Sequence, residues 1–303
     1  MWVFAVRRML ETIPVLIGVI LLTFALMQVI PGSAVDARLG QRATEEARAN
    51  MMRQLGLDRP WYQQLAGYLV LDFGQSMRRD QPARDIVLNR FGNTMLLAVT
   101  AMAFAIVFGV SMGILCAVMR NTWVDHLLMF LALMGISMPV FWFGMVLLVM
   151  ASSFGWRYLT DDGTGNLLFL ILPAVTLGTR SVAYIARMTR SAMLEVLSMD
   201  FLRTARAKGL APWQVVWRHA LTNALIPVIT IIGLDFAAYL TGAVLTESVF
   251  NYPGIGRELV EAIRDRDTNV ILCGVLVVTF TFVLVNLLVD ILYGVVDPRI
   301  RRS

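Results

Sequence analysis

Charge is scarce in this sequence: Asp, Glu, Lys and Arg make up 16% of 303 residues, 58% are hydrophobic, and the mean hydropathy is +0.69. A soluble domain carries about 25% charged residues, so the shortfall excludes a water-soluble enzyme of this length. The apolar content excludes a disordered chain. Two cysteines, Cys116 and Cys273, are too few for a disulfide scaffold. The two histidines, His126 and His219, have no acid or cysteine at metal-ligand spacing. Asp161-Asp162-Gly163 reads as a turn rather than a calcium loop. Lysine is rarest of all, with Lys208 the single example. A phosphate-binding P-loop needs a lysine after its last glycine, followed by Ser or Thr. Lys208 follows Ala207 and precedes Gly209, so the chain has no such loop. No acid–base constellation of a membrane enzyme is visible either.

What the sequence has in abundance is long apolar runs. Six, at about 12–31, 94–119, 124–150, 167–188, 225–247 and 270–292, meet the roughly 20 residues that cross a bilayer core. They predict an all-α, polytopic membrane protein with a retained N-terminal anchor rather than a cleaved signal. Six spans place both termini on one side. The basic residues of that side include Arg7, Arg8, Arg120, Arg190, Arg203, Arg206, Lys208, Arg218 and Arg299. The opposite short loops hold Arg157, Arg257, Arg264 and Arg266. By the positive-inside rule the termini face the cytoplasm. The formal charge of +5 then reports orientation, not affinity for nucleic acid. The organisation that follows is an N-terminal span over 1–31, an extracytoplasmic cap over 32–93 and a five-helix core over 94–303. Within that core, 189–224 forms a cytoplasmic segment.

Cys116 and Cys273 fall near opposite ends of their spans, so both are expected to be buried free thiols. Small residues four apart, Gly109 with Gly113, Gly233 with Ala237 and Ala238 with Gly242, suit close helix packing. Pro139 lies inside a span and is read as a kink. Thr44 caps one predicted cap helix and Pro60 starts another, which ends near Asp72-Phe73-Gly74. Asp235 falls at mid-depth, where a charge is costly and faces protein or a path. A structural hydrogen bond competes with that reading. Glu247 and Asp290 lie near span ends, where water reaches them more easily. Asn286 is expected to bond between helices. Arg180 and Arg187 are read as interfacial residues whose side chains snorkel to the surface.

The segment 189–224 carries the clearest local pattern. Asp200 is placed to cap a short helix from Phe201 to Lys208, Gly209 suits the left-handed position that ends it, and Pro212 starts a second helix. Trp213, Val216, Trp217, Ala220 and Leu221 then form an apolar stripe at helical spacing. An interfacial anchor, an anionic-lipid patch, a nucleic-acid contact and a docking hairpin all fit this pattern.

The run Arg203-Thr204-Ala205-Arg206-Ala207-Lys208-Gly209-Leu210, followed by His219-Ala220-Leu221-Thr222-Asn223-Ala224 and Pro227, resembles the EAA loop of ABC importer permeases, most closely their dipeptide, oligopeptide and nickel branch. Leu55-Gly56-Leu57-Asp58-Arg59-Pro60, Asp72-Phe73-Gly74-Gln75-Ser76, Thr246 through Gly256 and Asp297-Pro298-Arg299 resemble further signatures of that branch. The chain departs from the general loop pattern in having Arg203 where that pattern has glutamate. The resemblance implies a MetI-like permease fold in a bacterial cytoplasmic (inner) membrane. It implies that Arg203, Ala205, Lys208, Gly209, His219 and Asn223 belong to a segment docking on an ATPase. It further implies a second homologous permease, two cytoplasmic ATPases that bind the ATP and Mg, and an extracytoplasmic solute-binding protein. Asp235 and Glu247 are candidates for the translocation path. The cargo expected is a di- or oligopeptide, with nickel, glutathione or another small solute as alternatives. A stand-alone channel or secondary transporter is the more distant alternative.

Overall fold

The computed structural model describes residues 2–29, 35, 39, 44–54, 57–160 and 167–296. Leu55-Gly56, Asp161-Asp162-Gly163 and Asp297-Pro298-Arg299 lie outside them. The described elements are helical, apart from one isolated bridge between Gln75 and Pro82. In order they are α1 (Trp2–Val29), α2 (Glu45–Gln54), α3 (Trp61–Leu69), α4 (Ala83–Val118), α5 (Trp123–Ser137) and α6 (Val140–Ser153). After these come α7 (Ile171–Leu197), α8 (Asp200–Ala207), α9 (Leu221–Val249), α10 (Ile255–Asp265) and α11 (Thr268–Val296). A 3-10 turn, Leu167–Leu170, leads into α7. Among the described residues, five helical stretches are long and apolar enough to cross a membrane. A sixth results if α5 and α6, which meet at 106°, are one broken span.

Among the described residues the apolar runs lie on helices, the third broken at Met138-Pro139, but several elements differ from their sequence reading. α4 begins eleven residues before the run at 94 and is 36 residues long. α7 continues to Leu197, so much of the expected loop after 188 is helix. Pro139 does more than kink its span. It is the N-cap of α6, with extended φ −61° and ψ 129°. A proline disfavours helical geometry in the residue before it, and Met138 is extended as well. The two cap helices form as predicted. The Thr44 hydroxyl accepts from Ala47 N at 3.3 Å, and Pro60 precedes the first residue of α3.

The chain divides into two compact units, residues 1–95 with 253–287, and residues 96–252 with 288–303. The first is built on an apolar cluster of Ile20, Phe24, Tyr68, Phe73, Ile86 and Val87 with residues from α10 and α11. Polar groups close it. Glu258, buried on α10, takes Arg79 at 2.8 Å and Arg90 at 3.3 Å. The Ser76 hydroxyl donates to Asp267, and Arg78 pairs with Asp265. Tyr68 donates to Asn269 Oδ1 at 2.6 Å, while Asn269 Nδ2 donates to the Gln75 carbonyl at 2.7 Å. Burial, with Asp267 and Asp72 nearby, pushes the Tyr68 phenol up to about 12, which keeps it a donor.

The second unit is held by close packing. Gly109 and Gly113 lie against α7: a Cβ on Gly113 would stand 2.5 Å from Thr189 Cβ and 2.6 Å from Ala186 O. Gly178 of α7 meets α4 in the same way, at 2.8 Å from Ala101 O. Gly233 lies against Val289, whose methyls a Cβ would meet at 2.6 Å. The small-residue spacings therefore mark true approaches at Gly109, Gly113 and Gly233. One buried ion pair adds to them. Arg190 of α7 grips Asp125 of α5 with two bonds of 2.7 Å, and Asp125 is 1% exposed. Cys116 and Cys273 are free and buried, as expected.

Candidate functional site

The hairpin after α7 is the best-formed candidate. α8 starts with Asp200 in its first turn. Met199 is the N-cap, and no side chain caps the helix. This corrects the expectation that Asp200 caps it, because the helix begins one residue earlier than predicted. Gly209 has φ +82°, the left-handed geometry that suits glycine. Its N–H donates to Arg206 O at 3.0 Å, and Leu210 N reaches back to Ala205 O at 3.4 Å, which closes the helix end. Pro212 opens the next helix, and the Gln214 side chain accepts from Ala211 N at 3.3 Å.

Beyond Gln214 the chain departs from α-helical spacing. Val215–Ala220 is a π-helix. That extra residue per turn undoes the predicted stripe. Trp213 and Trp217 are 65% and 55% exposed, while Val215 and Ala220, five apart, are buried. The predicted stripe assumed 3.6 residues per turn, and a π turn holds more.

Under the hairpin sits an apolar base of Leu202, Ala205, Val215, Ala220 and Ala224. It is continuous with Met193 and Val196 of α7 and Ile114 and Ala117 of α4. Of the residues foreseen for docking, Arg203, Lys208 and Gly209 are exposed, with Arg206 beside them. Ala205 is buried and forms part of the base. His219 is half-buried within the π turn, and Asn223 is exposed, its Nδ2 donating to the His219 carbonyl at 2.7 Å. The hairpin thus presents a basic outer surface on a base packed against two long helices.

The two foreseen carboxylates are in different settings. Asp235 is half-buried on α9, and its buried Oδ2 has no hydrogen-bond partner. Glu247 is fully buried, which corrects the expectation that water reaches it. The chain turns back after α9, Tyr252 N donates to Glu247 O at 2.8 Å, and the Tyr252 ring stacks on Phe169. Burial, with the Glu247 charge beside it, pushes the Tyr252 phenol up to about 12. Asn286 donates to Phe282 O on its own helix at 2.9 Å rather than to another helix. The side chain of Asp290 lies outside the described residues. Arg180 and Arg187 are both exposed on α7, which runs nine residues past the expected end of its span. The carboxylate Glu258 and the helix α10 were not foreseen from the sequence. The apolar spacing of Ile255, Leu259 and Ala262 is the signal that finds that helix.

Residues 109–302 match the family described as binding-protein-dependent transport system inner membrane component, and residues 1–79 match its N-terminal family. A dipeptide transport system permease protein of Alkalihalophilus pseudofirmus is 42% identical over 99% of this chain and 100% of its own length. A dipeptide transport system permease protein of Escherichia coli K12 is 44% identical over 99% of each chain. A glutathione transport system permease protein of the same organism is 41% identical over 98% of each. Among solved structures, the MetNI methionine ABC transporter in inward facing conformations aligns with a TM-score of 0.60. It is 19% identical and covers 72% of this chain and 100% of its own, a likeness of fold.

Proposed function

Because the chain belongs to the family of binding-protein-dependent transport system inner membrane components, in its dipeptide and oligopeptide permease branch, we propose that it forms half of the translocation path of an ATP-driven importer of di- or oligopeptides. The chain is a transporter subunit rather than an enzyme. ATP and Mg are bound and turned over by two cytoplasmic ATPases, a second related permease completes the path, and an extracytoplasmic binding protein delivers cargo. The six-span, inner-membrane arrangement with both termini in the cytoplasm belongs to the same proposal, and the arginine distribution supports it.

The observation that carries the docking assignment is the hairpin 200–211. Exposed Arg203, Arg206 and Lys208 stand over an apolar base shared with α4 and α7. A push on such a surface is delivered to two long helices, and a closing ATPase pair biases a two-state element of this kind. His219 and Asn223 lie one segment further on and back the hairpin. Asp235 is assigned to the path. Glu247, closed off in this conformation, joins it only when the 250–254 turn opens.

Replacing Gly209 by valine tests this reading. A side chain there meets nothing within 4 Å, so the damage is confined to backbone geometry, about 1–2 kcal/mol for a left-handed residue. The variant is expected to insert and assemble normally in proteoliposomes containing the whole importer but to lose ATP-driven peptide uptake. Normal uptake would sink the docking assignment. Glutathione is the second reading, favoured by the relative that is 41% identical over 98% of both chains. Competition between labelled dipeptide and glutathione for uptake separates the two.

A further inference from the structure

α7 and its leading turn form a span-length element from Leu167 to Leu197. One face is packed into its own unit, with Leu177, Gly178, Ile185, Ala186, Thr189 and Met193 buried. The opposite face is a polar stripe. Arg180, Tyr184, Arg187, Ser191 and Glu195 follow one another at steps of three and four; all are exposed except Tyr184, which is half-buried. Both guanidinium carbons lie over the Tyr184 ring, at 5.7 Å for Arg180 and 5.5 Å for Arg187. The two charges are thus held along one line by the aromatic between them. Neither arginine forms an ion pair among the described residues.

Depth decides what this stripe can face. At ~1.5 Å per residue, Arg180 is roughly 20 Å from one end of the element and roughly 25 Å from the other. With the element centred in a bilayer core of about 30 Å, Arg180 is about 12 Å from the nearer surface, farther than an arginine side chain reaches. A guanidinium turned to lipid at such depth costs several kcal/mol. Val99, Val107 and Phe108 on α4 and Leu234 on α9 are exposed and apolar. The half-buried Asp235 of α9 is a further mid-span charge among the described residues.

A second observation points the same way. Arg180 lines a small cleft with Gly135, Met138, Phe143 and Thr176, at the 106° break between α5 and α6. Broken helix at membrane depth is tolerated where it lines a water-filled cavity or is buried in protein, and interrupted helices mark binding sites in other transporters. The Thr176 hydroxyl is buried there without a hydrogen-bond partner.

We propose that Arg180 and Arg187, spaced by Tyr184, line the water-filled translocation path and bind the carboxylate of the passing cargo. The proposal rests on the importer reading above and supplies the chemistry of its path. A planar guanidinium matches a carboxylate through two parallel bonds. Two of them, about two helical turns apart, offer successive positions for the C-terminal carboxylate of a peptide.

The test uses the whole importer, with partner subunits and binding protein, in proteoliposomes. Arg180→Cys and Arg187→Cys are expected to react with a charged, membrane-impermeant methanethiosulfonate reagent, and Val107→Cys is not; the native thiols are buried. In parallel, the Arg180→Gln/Arg187→Gln double variant is expected to lower uptake of a free-acid dipeptide at least tenfold. Lysine at both positions restores part of that uptake. Wild type is expected to carry the C-terminally amidated dipeptide no better than the double variant carries the free acid. Unreactive cysteines at both positions overturn the path assignment, and burial against the second permease is then the explanation. Undiminished uptake in the double glutamine variant overturns the carboxylate assignment. A wild-type importer that carries no peptide overturns the peptide reading instead, and the thiol reaction, which needs no substrate, tells that failure apart.

Discussion

The two compact units of this chain are held together by opposite means. In residues 1–95 with 253–287, polar side chains do the joining: Glu258 between two arginines, Ser76 on Asp267, Tyr68 on Asn269. In residues 96–252 with 288–303, backbones approach at glycine, and the buried Asp125 pairs with Arg190. The polar joints of the first unit tie the loop at 74–82 and the end of α3 to α10 and the start of α11, where directed bonds fix a loop onto a helix. Between long apolar helices the hydrophobic drive is weak in lipid, so shape fit has to supply the contact. A unit fixed by fit permits sliding between packed faces, whereas one fixed by directed bonds resists it.

Removing Asp125 should give the largest loss. Asp125→Ala leaves the half-buried Arg190 without its partner, at about 2–3 kcal/mol, less than the roughly 3–5 kcal/mol of a fully buried pair. It is expected to lower the aggregation temperature of the detergent-purified chain more than any other single truncation discussed here, and Asp125→Asn by less. If Asp125→Ala is neutral, packing alone holds that unit and the contrast between the units is sharper still. Next comes Gly113→Ala, where the added methyl meets α7 at 2.5–2.6 Å, for about 1–3 kcal/mol. Its control is Gly92→Ala, in the other unit, where nothing lies within 4 Å and better helix propensity should add up to about 1 kcal/mol. Equal effects of the two on melting would erase the distinction. Ser76→Ala should have the smallest effect, about 1 kcal/mol. It should show mainly as faster proteolysis within 74–82, with the melting of the rest unchanged. A global loss of stability there would mean that the polar latch supports more than its own loop.

Legibility in the sequence followed the same division. Apolar length placed the long helices, and glycine and proline placed the turns at 209 and 212, because each is a local consequence of residue type. The small-residue steps at Gly109 and Gly113 were readable for the same reason. The partners across each approach were not, since Ile185 and Thr189 lie more than seventy residues away. Two misreadings share one cause. The exposed Trp213 and Trp217 and the buried Glu247 were each placed by counting along a regular helix. A π turn and a returning turn each changed the count. The latch around Glu258 left little trace, because an acid among exposed arginines looks like any charged loop until the chain returns from 253 to meet 79 and 90.

The scarcity of lysine has a practical side. Lys208 is the single lysine, and it stands exposed at the end of α8, on the hairpin assigned to docking. Amine-directed chemistry therefore has one side-chain address in the entire chain. A dye or cross-linker that reacts with primary amines reports on that hairpin and, besides it, only on the terminal amine. Protection of this one ε-amine on adding each soluble partner in turn reads out contact there without altering a residue.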